Sequence, residues 1–260
     1  MKGRAISAGF PRERQNIIEK MRPEVAAGGF SRDDAIMQFY LRVNSLLQPH
    51  MSVLDLGAGR GTLLLGPESF LSGIAKLQGK VRRVVGIDVD DAIYNHPYLD
   101  ERYVVPVGER YPLADDSIDV VVSDWVFEHV MEPNSFAAEV GRVLKPGGWL
   151  CARTPSKWSY VGIGARMVPN ALHKRMLRWL WPERSLADVF PTVYRLNSSS
   201  AIKRYFSPSQ WEHFSYNIDG PPKYHANNHT LFRIFDIVQT LTPPAFKTEM
   251  IILLRKKSGA

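Results

Sequence analysis

Residues 53–61 read Val-Leu-Asp-Leu-Gly-Ala-Gly-Arg-Gly, an apolar run that ends in an aspartate and a glycine-rich turn. The run 53–56 predicts a buried parallel strand, because such strands carry helices on both faces. Gly57, Gly59 and Gly61 allow a sharp turn and let a ligand lie against bare backbone. A helix that starts after the turn would add unpaired N–H groups and the positive end of its dipole. The segment therefore predicts a nucleotide-type site at the tip of the first strand of a doubly wound sheet.

A second apolar run, residues 81–90, contains Asp88 near its end. A carboxylate at the tip of a second strand can accept both hydroxyl groups of a ribose, which makes Asp88 a candidate ligand residue. The alternative is that Asp88 or Asp90 caps the helix that follows. The glycine spacing does not match the Gly-x-Gly-x-x-Gly pattern of dinucleotide-binding proteins.

Two further segments indicate which cofactor the site takes. Residues 111–123 give a polar loop and an apolar strand, and residues 143–153 give a helix end, a Pro-Gly-Gly turn and another strand. With these motifs, the chain resembles the class I S-adenosylmethionine-dependent methyltransferases of the small-molecule branch over about residues 45–155. The resemblance implies a doubly wound α/β fold, with a mostly parallel seven-stranded sheet, an antiparallel last strand and a helical C-terminal insertion. It also implies S-adenosylmethionine as cofactor and S-adenosylhomocysteine as product.

The resemblance gives the residues at the strand tips a role in cofactor binding. The implied cofactor-binding residues are Asp55, Gly57, Ala58, Gly59, Asp88, Val89, Gly108 and Asp124. The first four would line the methionine end together with Asp124, Asp88 would hold the ribose, and Val89 and Gly108 would lie beside the adenine. Many relatives have an aspartate where Val107 stands, so backbone groups or Glu109 would have to replace that contact.

His129 is the candidate catalytic residue, because it follows the fourth predicted strand at the rim where the methyl group should point. Its reference pKa near neutrality suits removal of a proton from a hydroxyl acceptor. The alternative is that His129 only packs or caps its loop. Other candidate bases are His173, His225 and His229. Tyr194 and Arg195 are candidate acceptor-binding residues, and the scattered histidines predict no metal site.

The chain divides into four expected parts. Residues 1–30 would form an N-terminal arm, and residues 31–155 the cofactor-binding core. Residues 156–207 would form a helical acceptor-binding insertion or lid, with a helix at 168–180, and residues 208–260 would complete the sheet. Smaller elements that the pattern predicts are a helix start at 31–34, helices at 70–77, 134–144, 208–215 and 229–241, and a last strand at 246–254.

Composition and charge bear on partners and location. The 260 residues are 45% apolar with one cysteine, Cys151, and the N-terminus has no apolar leader, so a cytoplasmic protein is expected. Residues 1–150 carry 17 Lys and Arg against 20 Asp and Glu, whereas residues 151–260 carry 16 against 6. The basic half favours an anionic or lipid-like small-molecule acceptor, and it leaves peripheral membrane contact open. The alternatives are an RNA methyltransferase, which the dispersed charge disfavours, and a non-catalytic partner subunit; DNA is not expected.

Overall fold

The structure is a computed structural model that describes part of the chain. The described residues are 12–66, 68–160, 162–163, 192–222, 225–226 and 228–259, with side chains from residue 17 onward. The predicted helix at 168–180 and His173 lie outside them. Within the described ranges, no helix combines the length and the apolar character that crossing a membrane would need.

The described residues form one eight-stranded sheet in the order β3-β2-β1-β4-β5-β8-β6, in which β7 also pairs with β8. The strands are β1 (Ser52–Leu56), β2 (Arg83–Asp88), β3 (Glu101–Val104), β4 (Ile118–Asp124), β5 (Leu144–Pro155), β6 (Trp211–His213), β7 (Tyr216–Ile218) and β8 (Glu249–Lys256). β1 to β5 run parallel, while β8 is antiparallel to β5, β6 and β7. The predicted mostly parallel sheet with an antiparallel last strand is confirmed, with one strand more than expected.

Helices cover both faces of the sheet, as the doubly wound prediction requires. The helices are α1 (Arg12–Met21), α2 (Ala35–Leu46), α3 (Phe70–Ala75), α4 (Pro133–Val143), α5 (Ser199–Tyr205) and α6 (His229–Leu241). Successive strand residues point to opposite faces, so Leu54 joins the core beneath α4 and α5, whereas Val53 joins the core beneath α2 and α3. Cys151 lies fully buried in the second of these cores, and burial raises the pKa of its thiol to about 12.

The glycine turn does not lead directly into a helix, which corrects the first expectation. A three-residue 3-10 turn, Thr62–Leu64, follows it, and the regular helix α3 begins only at Phe70. The side chain of Ser69 caps this helix by accepting a hydrogen bond from the Ser72 N–H. The N-terminus of α3 is therefore separated in sequence from the glycine turn, and bare backbone is what the turn itself offers to a ligand.

The predicted helix at 208–215 is wrong, because residues 211–213 form the strand β6. Trp211 pairs with Lys256 of β8, and its indole packs edge-on against Phe206 with ring centroids 5.3 Å apart. A large aromatic side chain suits this buried sheet position. The other helix boundaries are close to prediction, and the helix at 229–241 has the predicted bounds.

The Pro-Gly-Gly segment also differs from the expected turn. It lies within β5, where the register with β4 passes from Ile118 opposite Leu144 to Val120 opposite Trp149. The extra residues of β5 form a bulge, in which Gly147 takes a φ of +79°. The last strand begins at Glu249 rather than Phe246, because residues 244–246 form a 3-10 turn.

Candidate cofactor-binding site

Three carboxylates converge at the carboxyl ends of neighbouring strands. Asp55 lies near the end of β1, while Asp88 and Asp124 are the last residues of β2 and β4. Because β1 pairs with β2 on one side and with β4 on the other, the three strand tips are adjacent. The strand order reverses here, and crevices at such switch points are where doubly wound sheets bind ligands.

The glycine turn closes one side of this crevice with backbone alone. Gly57 has a φ of +78°, and a Cβ atom placed there would lie 2.1 Å from Cγ2 of Val126. The Gly59 N–H donates a hydrogen bond of 2.8 Å to Oδ2 of Asp88, which ties the turn to the tip of β2. Asp88 also accepts a hydrogen bond from the Asp90 N–H at 2.9 Å, so two backbone groups fix its carboxylate at the crevice.

The crevice opens into a cavity of about 630 Å³. Its lining includes every residue that the sequence predicts for cofactor binding, together with His129: Asp55, Gly57, Ala58, Gly59, Asp88, Val89, Gly108, Asp124 and His129. Tyr40 of α2 lines the same cavity, as does Glu109. The fold therefore brings together residues that are far apart in the chain. Asp55 and His129, for example, are 74 positions apart.

Asp55 has an unusual electrostatic environment. Burial, and after it the charges of Asp124 and Asp88, raises the pKa of the Asp55 carboxyl group to about 7. Burial also raises the pKa of the neighbouring Tyr40 hydroxyl, with Asp124 and Asp55 adding to the effect. The site is thus acidic and partly desolvated, which favours a positively charged ligand.

Arg153 balances part of this negative charge, and sequence reasoning missed it. Its guanidinium group is buried and makes two hydrogen bonds to Asp124, of 2.8 and 3.0 Å, and one to Glu249, of 2.8 Å. The Arg153 Cζ atom also lies 5.3 Å from the centre of the Trp125 ring. Trp125 directly follows β4 and has a φ of +59°. An arginine inside an otherwise apolar strand was the signal available in the sequence, because a buried charge needs a partner.

Glu128 lies beside His129 but is not part of the cavity lining. It is buried, accepts a hydrogen bond of 2.9 Å from the Thr154 hydroxyl, and lies 3.9 Å from Nε2 of His129. Burial is the main reason that the pKa of Glu128 rises to about 7. Asn197 in turn donates to the Thr154 hydroxyl at 2.7 Å, so this loop is anchored to β5 and to the segment before α5.

His96 is a second cavity residue that the sequence did not reveal. It packs against the glycine turn so closely that a Cβ atom on Gly61 would lie 2.5 Å from its ring. Burial, followed by the charge of Arg102, lowers the pKa of His96 to about 4. Its imidazole is therefore neutral at physiological pH and serves as a packing wall of the cavity.

The candidate acceptor residues lie outside the cavity lining. Tyr194 is half-buried with a φ of +52°, and its N–H donates to the carbonyl of Glu128 at 3.2 Å. Arg195 is exposed and donates to the carbonyl of Met131, a cavity residue, at 2.5 Å. They therefore lie next to the loop that carries His129 without contributing to the cavity surface.

The rival histidines within the described residues are also not part of this lining. His225 is buried, with its ring 5.3 Å from that of Phe232, in the cluster that joins α1 to α6. His229 is the exposed first residue of α6. Across the described ranges, no group of three or more His, Cys, Asp and Glu side chains is arranged to hold a metal ion.

The donor set fits S-adenosylmethionine. Its sulfonium and ammonium groups are cations, and the strand tips present the carboxylates of Asp55 and Asp124. Its ribose needs acceptors, and the fixed carboxylate of Asp88 supplies them. A side chain on Gly57 would collide with Val126, so the turn beside the carboxylates has to be bare backbone at this position.

Comparison with known proteins finds similarity to methyltransferases. A methyltransferase domain model matches residues 54–152. A protein named as a probable S-adenosylmethionine-dependent methyltransferase of Mycolicibacterium smegmatis is 33% identical over 132 residues, which cover 48% of this chain and 46% of that protein. A ubiquinone biosynthesis O-methyltransferase of Bordetella avium is 29% identical over 134 residues, 46% of this chain and 53% of that one. The chain thus spans about half the length of these relatives.

A solved structure shares the fold over a larger part of the chain. It is described as an S-adenosylmethionine-dependent methyltransferase from Listeria monocytogenes, with a TM-score of 0.52 and 12% identity, covering 86% of this chain and 98% of that one. At this identity the likeness concerns the fold alone. Residues 54–152 therefore match a methyltransferase domain, and they include the strand tips that line the cavity.

Proposed function

We propose that this chain transfers a methyl group from S-adenosylmethionine to an oxygen atom of a small-molecule, sugar or lipid-like acceptor. The observation that carries the proposal is the convergence of Asp55, Asp88 and Asp124 around a bare glycine turn in one cavity. The relative from Bordetella avium, by its name, is an O-methyltransferase of ubiquinone biosynthesis. That name supports transfer to oxygen.

In this proposal the strand tips divide the cofactor between them. Asp88 binds the ribose hydroxyl groups, Val89 and Gly108 lie against the adenine, and Asp55 and Asp124 face the methionine end. Gly57, Ala58 and Gly59 add backbone contacts there. When bound, S-adenosylmethionine supplies a methyl group attached to a positively charged sulfur. Transfer of that methyl group would leave the sulfur as a neutral thioether. The protein has to orient the acceptor and exclude water.

His129 is the general base of the proposal. It stands in the cavity lining on the turn after β4, where a ring nitrogen can take the proton of an acceptor hydroxyl group. The neighbouring Glu128, fixed by Thr154, holds this turn in place. Tyr194 and Arg195 remain candidates for acceptor binding, since Arg195 is hydrogen-bonded to the cavity residue Met131.

The acceptor class follows from charge. The excess of Lys and Arg in residues 151–260 favours an anionic or lipid-like acceptor, and it would also suit contact with an anionic membrane surface. We expect the protein to act in the cytoplasm.

Calorimetric titration with S-adenosylmethionine and S-adenosylhomocysteine tests the cofactor half of the proposal. The wild-type chain should bind both, and Asp88→Ala should weaken binding by a factor of about 100 or more, because charge-assisted hydrogen bonds to the ribose are lost. Asp91→Ala is the matched control: Asp91 is an exposed carboxylate on the same loop and is not part of the cavity lining. Unchanged affinity in Asp88→Ala would refute the ribose assignment.

Transfer itself is tested with methyl-labelled S-adenosylmethionine against panels of phenols, sugars and hydroxylated lipids. His129→Ala should slow turnover while leaving cofactor affinity within about twofold, because the proposed base acts on the acceptor. Cofactor binding without transfer to any acceptor would favour a non-catalytic partner subunit. Labelling of RNA instead of the panels would favour an RNA methyltransferase.

A further inference from the structure

One face of α6 is apolar and exposed. Its large apolar residues at 234, 237, 238 and 241 are all at least 41% exposed, and Leu241 reaches 76%. Offsets of three, four and seven positions place these side chains on one side of the helix. We call Ile234, Ile237, Val238 and Leu241 the apolar stripe. Among the described residues, none of the three buried apolar clusters includes a residue of the stripe.

A different face of α6 attaches the helix to the rest of the structure. Phe232 is fully buried in the cluster that α6 shares with α1, and Asp236 pairs with Arg22. Gln239 is buried and donates a hydrogen bond to the Tyr160 hydroxyl. A surface helix normally turns its apolar side chains toward the core and its polar ones toward water. In α6 the stripe faces outward instead, which is typical of a surface that contacts another molecule.

The charges of α6 favour a second, antiparallel copy of the same helix. α6 has no acidic residue in its first turn and no basic residue in its last turn, so it does not compensate its own dipole. Its one arginine, Arg233, is exposed in the first half of the helix, next to the stripe. In an antiparallel pair, each Arg233 would lie near the carbonyl end of the other helix, where a cation is favourable. Within one chain, Lys247 reaches that end through a long hydrogen bond of 3.5 Å to the Gln239 carbonyl.

The size of the stripe suits a weak dimer. Its exposed area is on the order of 400 Å², within the range of about 300–600 Å² for the largest apolar patch of a monomer, which is often functional. A two-fold contact buries the stripe twice and, with flanking residues, would cover on the order of 1,000 Å², near the lower limit of a specific interface. A lipid surface fits less well, because helices that lie on membranes are rich in Lys and Arg, whereas α6 has one arginine and one aspartate.

We infer that this chain forms a homodimer in which two α6 helices pack antiparallel through their apolar stripes. Because the contact is small, the dimer should dissociate at micromolar concentrations. No residue of α6 lines the described cavity, so the inference does not depend on the proposed function.

Sedimentation velocity of the full chain from about 1 to 500 µM, without ligand, tests the dimer. The weight-average mass should rise from one chain to two, with a dissociation constant on the order of 10–100 µM. Ile237→Glu places a carboxylate in the middle of the stripe. Dimerisation would bury two such charges together, so this variant should stay a single chain at every concentration.

Leu41→Glu is the matched control, because Leu41 is an exposed leucine of another helix, α2, and is 48% accessible. It should dimerise like the wild type. Glutamate is a good helix former, so both variants should fold, and thermal unfolding checks this. Arg233→Ala should raise the dissociation constant by about threefold to tenfold, whereas Arg233→Lys should keep it near the wild-type value.

Cysteine cross-linking tests the antiparallel arrangement. A mixture of the Ile234→Cys and Leu241→Cys variants should form a disulfide-linked dimer at least about fivefold faster than either variant alone, because only opposite helix directions bring the two positions together. Cys151 is buried and should not take part.

A wild-type chain that remains single up to about 500 µM overturns the inference, and so does an Ile237→Glu variant that dimerises normally. Loss of the dimer in Leu41→Glu, or faster cross-linking of one cysteine variant alone, also contradicts it. If a single-chain wild type binds phosphatidylglycerol vesicles and Ile237→Glu does not, the stripe contacts lipid and the inferred dimer is wrong.

Discussion

At the scale of single residues, Gly57 has the strictest requirement at the site. Its φ of +78° is a conformation that other L-residues adopt at a cost, and the space beside it is filled by the Val126 side chain. Glycine at this position thus keeps the turn free of a side chain, and it allows Val126 in the loop after β4 to pack against the turn. The need for a glycine in this turn could be inferred from the sequence, but the contact of Gly57 with Val126 could not.

Gly57→Ala should lower the free energy of unfolding by about 3 kcal/mol, from overpacking and backbone strain together. It should also weaken S-adenosylhomocysteine binding, since Val126 or the turn must shift. Urea unfolding and calorimetry measure the two effects.

Gly73→Ala supplies the comparison, because Gly73 lies in α3 and a Cβ atom placed there would have no neighbouring atom within 4 Å. There the substitution should stabilise the chain by about 0.5–1 kcal/mol through a smaller entropy loss. Similar unfolding curves for the two variants would contradict the packing argument.

The motif residues were predictable one by one, whereas their supporting residues were not. Asp55 and Asp88 follow apolar runs that mark strand tips, so their place is local information. Arg153 and His96 gain their significance from groups that lie farther away in sequence: Arg153 and Glu249, for instance, are 96 positions apart. No local pattern encodes such a pair.

At the scale of elements, α1 is joined to the rest of the described structure through Arg22. This buried guanidinium group follows the helix and pairs with Asp33, 2.9 Å away, and with Asp236 of α6. It also lies 5.6 Å from the centre of the Phe232 ring, in the cluster that α1 shares with α6. The ion pairs of Arg22 and the small apolar cluster next to them therefore attach the N-terminal segment to α6.

Arg22→Ala should destabilise the chain by about 2 kcal/mol, because it leaves two partly buried carboxylates without their shared partner. Hydrogen exchange should quicken most in α1 and α6, and urea unfolding gives the global value.

The matched change is Arg32→Ala, which removes an exposed arginine 3.5 Å from Glu24 and should cost about 0.5 kcal/mol or less. Equal losses for both variants would show that Arg22 does not hold these helices together.

Elements with strong local signals were predicted well, and weakly patterned ones were not. The helix at 229–241 starts at an Asn228 cap and ends before Pro243, and both signals are in the sequence. The segment at 208–215 has a start signal, Ser207 before Pro208, but no stop signal near its end. Its three-residue strand exists because Trp211 pairs with β8 and packs against Phe206, and both contacts depend on tertiary structure.

At the scale of the whole molecule, three strands bring together carboxylates that could not be close in an unfolded chain. Burial of Asp55, and after it the charges of these neighbouring carboxylates, raises its pKa to about 7, well above its ordinary value near 3.8. As the pH rises from about 6 to about 8, the Asp55 carboxyl group loses its proton and the cavity gains a negative charge. The pKa of Asp55 is higher in the folded protein than in the unfolded chain. The free energy of unfolding of the ligand-free protein should therefore fall as the pH rises from about 4 through 7.

The charge gained should favour a sulfonium cation over a neutral thioether. The affinity for S-adenosylmethionine relative to S-adenosylhomocysteine should therefore increase by about threefold to tenfold between pH 6 and pH 8. Asp55→Asn should abolish this increase, because the residue no longer ionises. Parallel calorimetric titrations of both ligands at several pH values provide the measurement, and a ratio independent of pH in the wild type would contradict the assigned place of Asp55.

The sequence by itself determined the parallel core, the order of its motifs, the antiparallel last strand and the residues at the strand tips. The antiparallel direction of the last strand was implied by the family resemblance, and the others follow from apolar periodicity, glycines at turns and acids after strands, which act within a few residues. Tertiary structure alone decided the raised pKa of Asp55, the ion pairs of Arg153 and the bulge in β5. Those depend on burial and on distances between segments far apart in the chain, and such quantities exist only once the chain has folded.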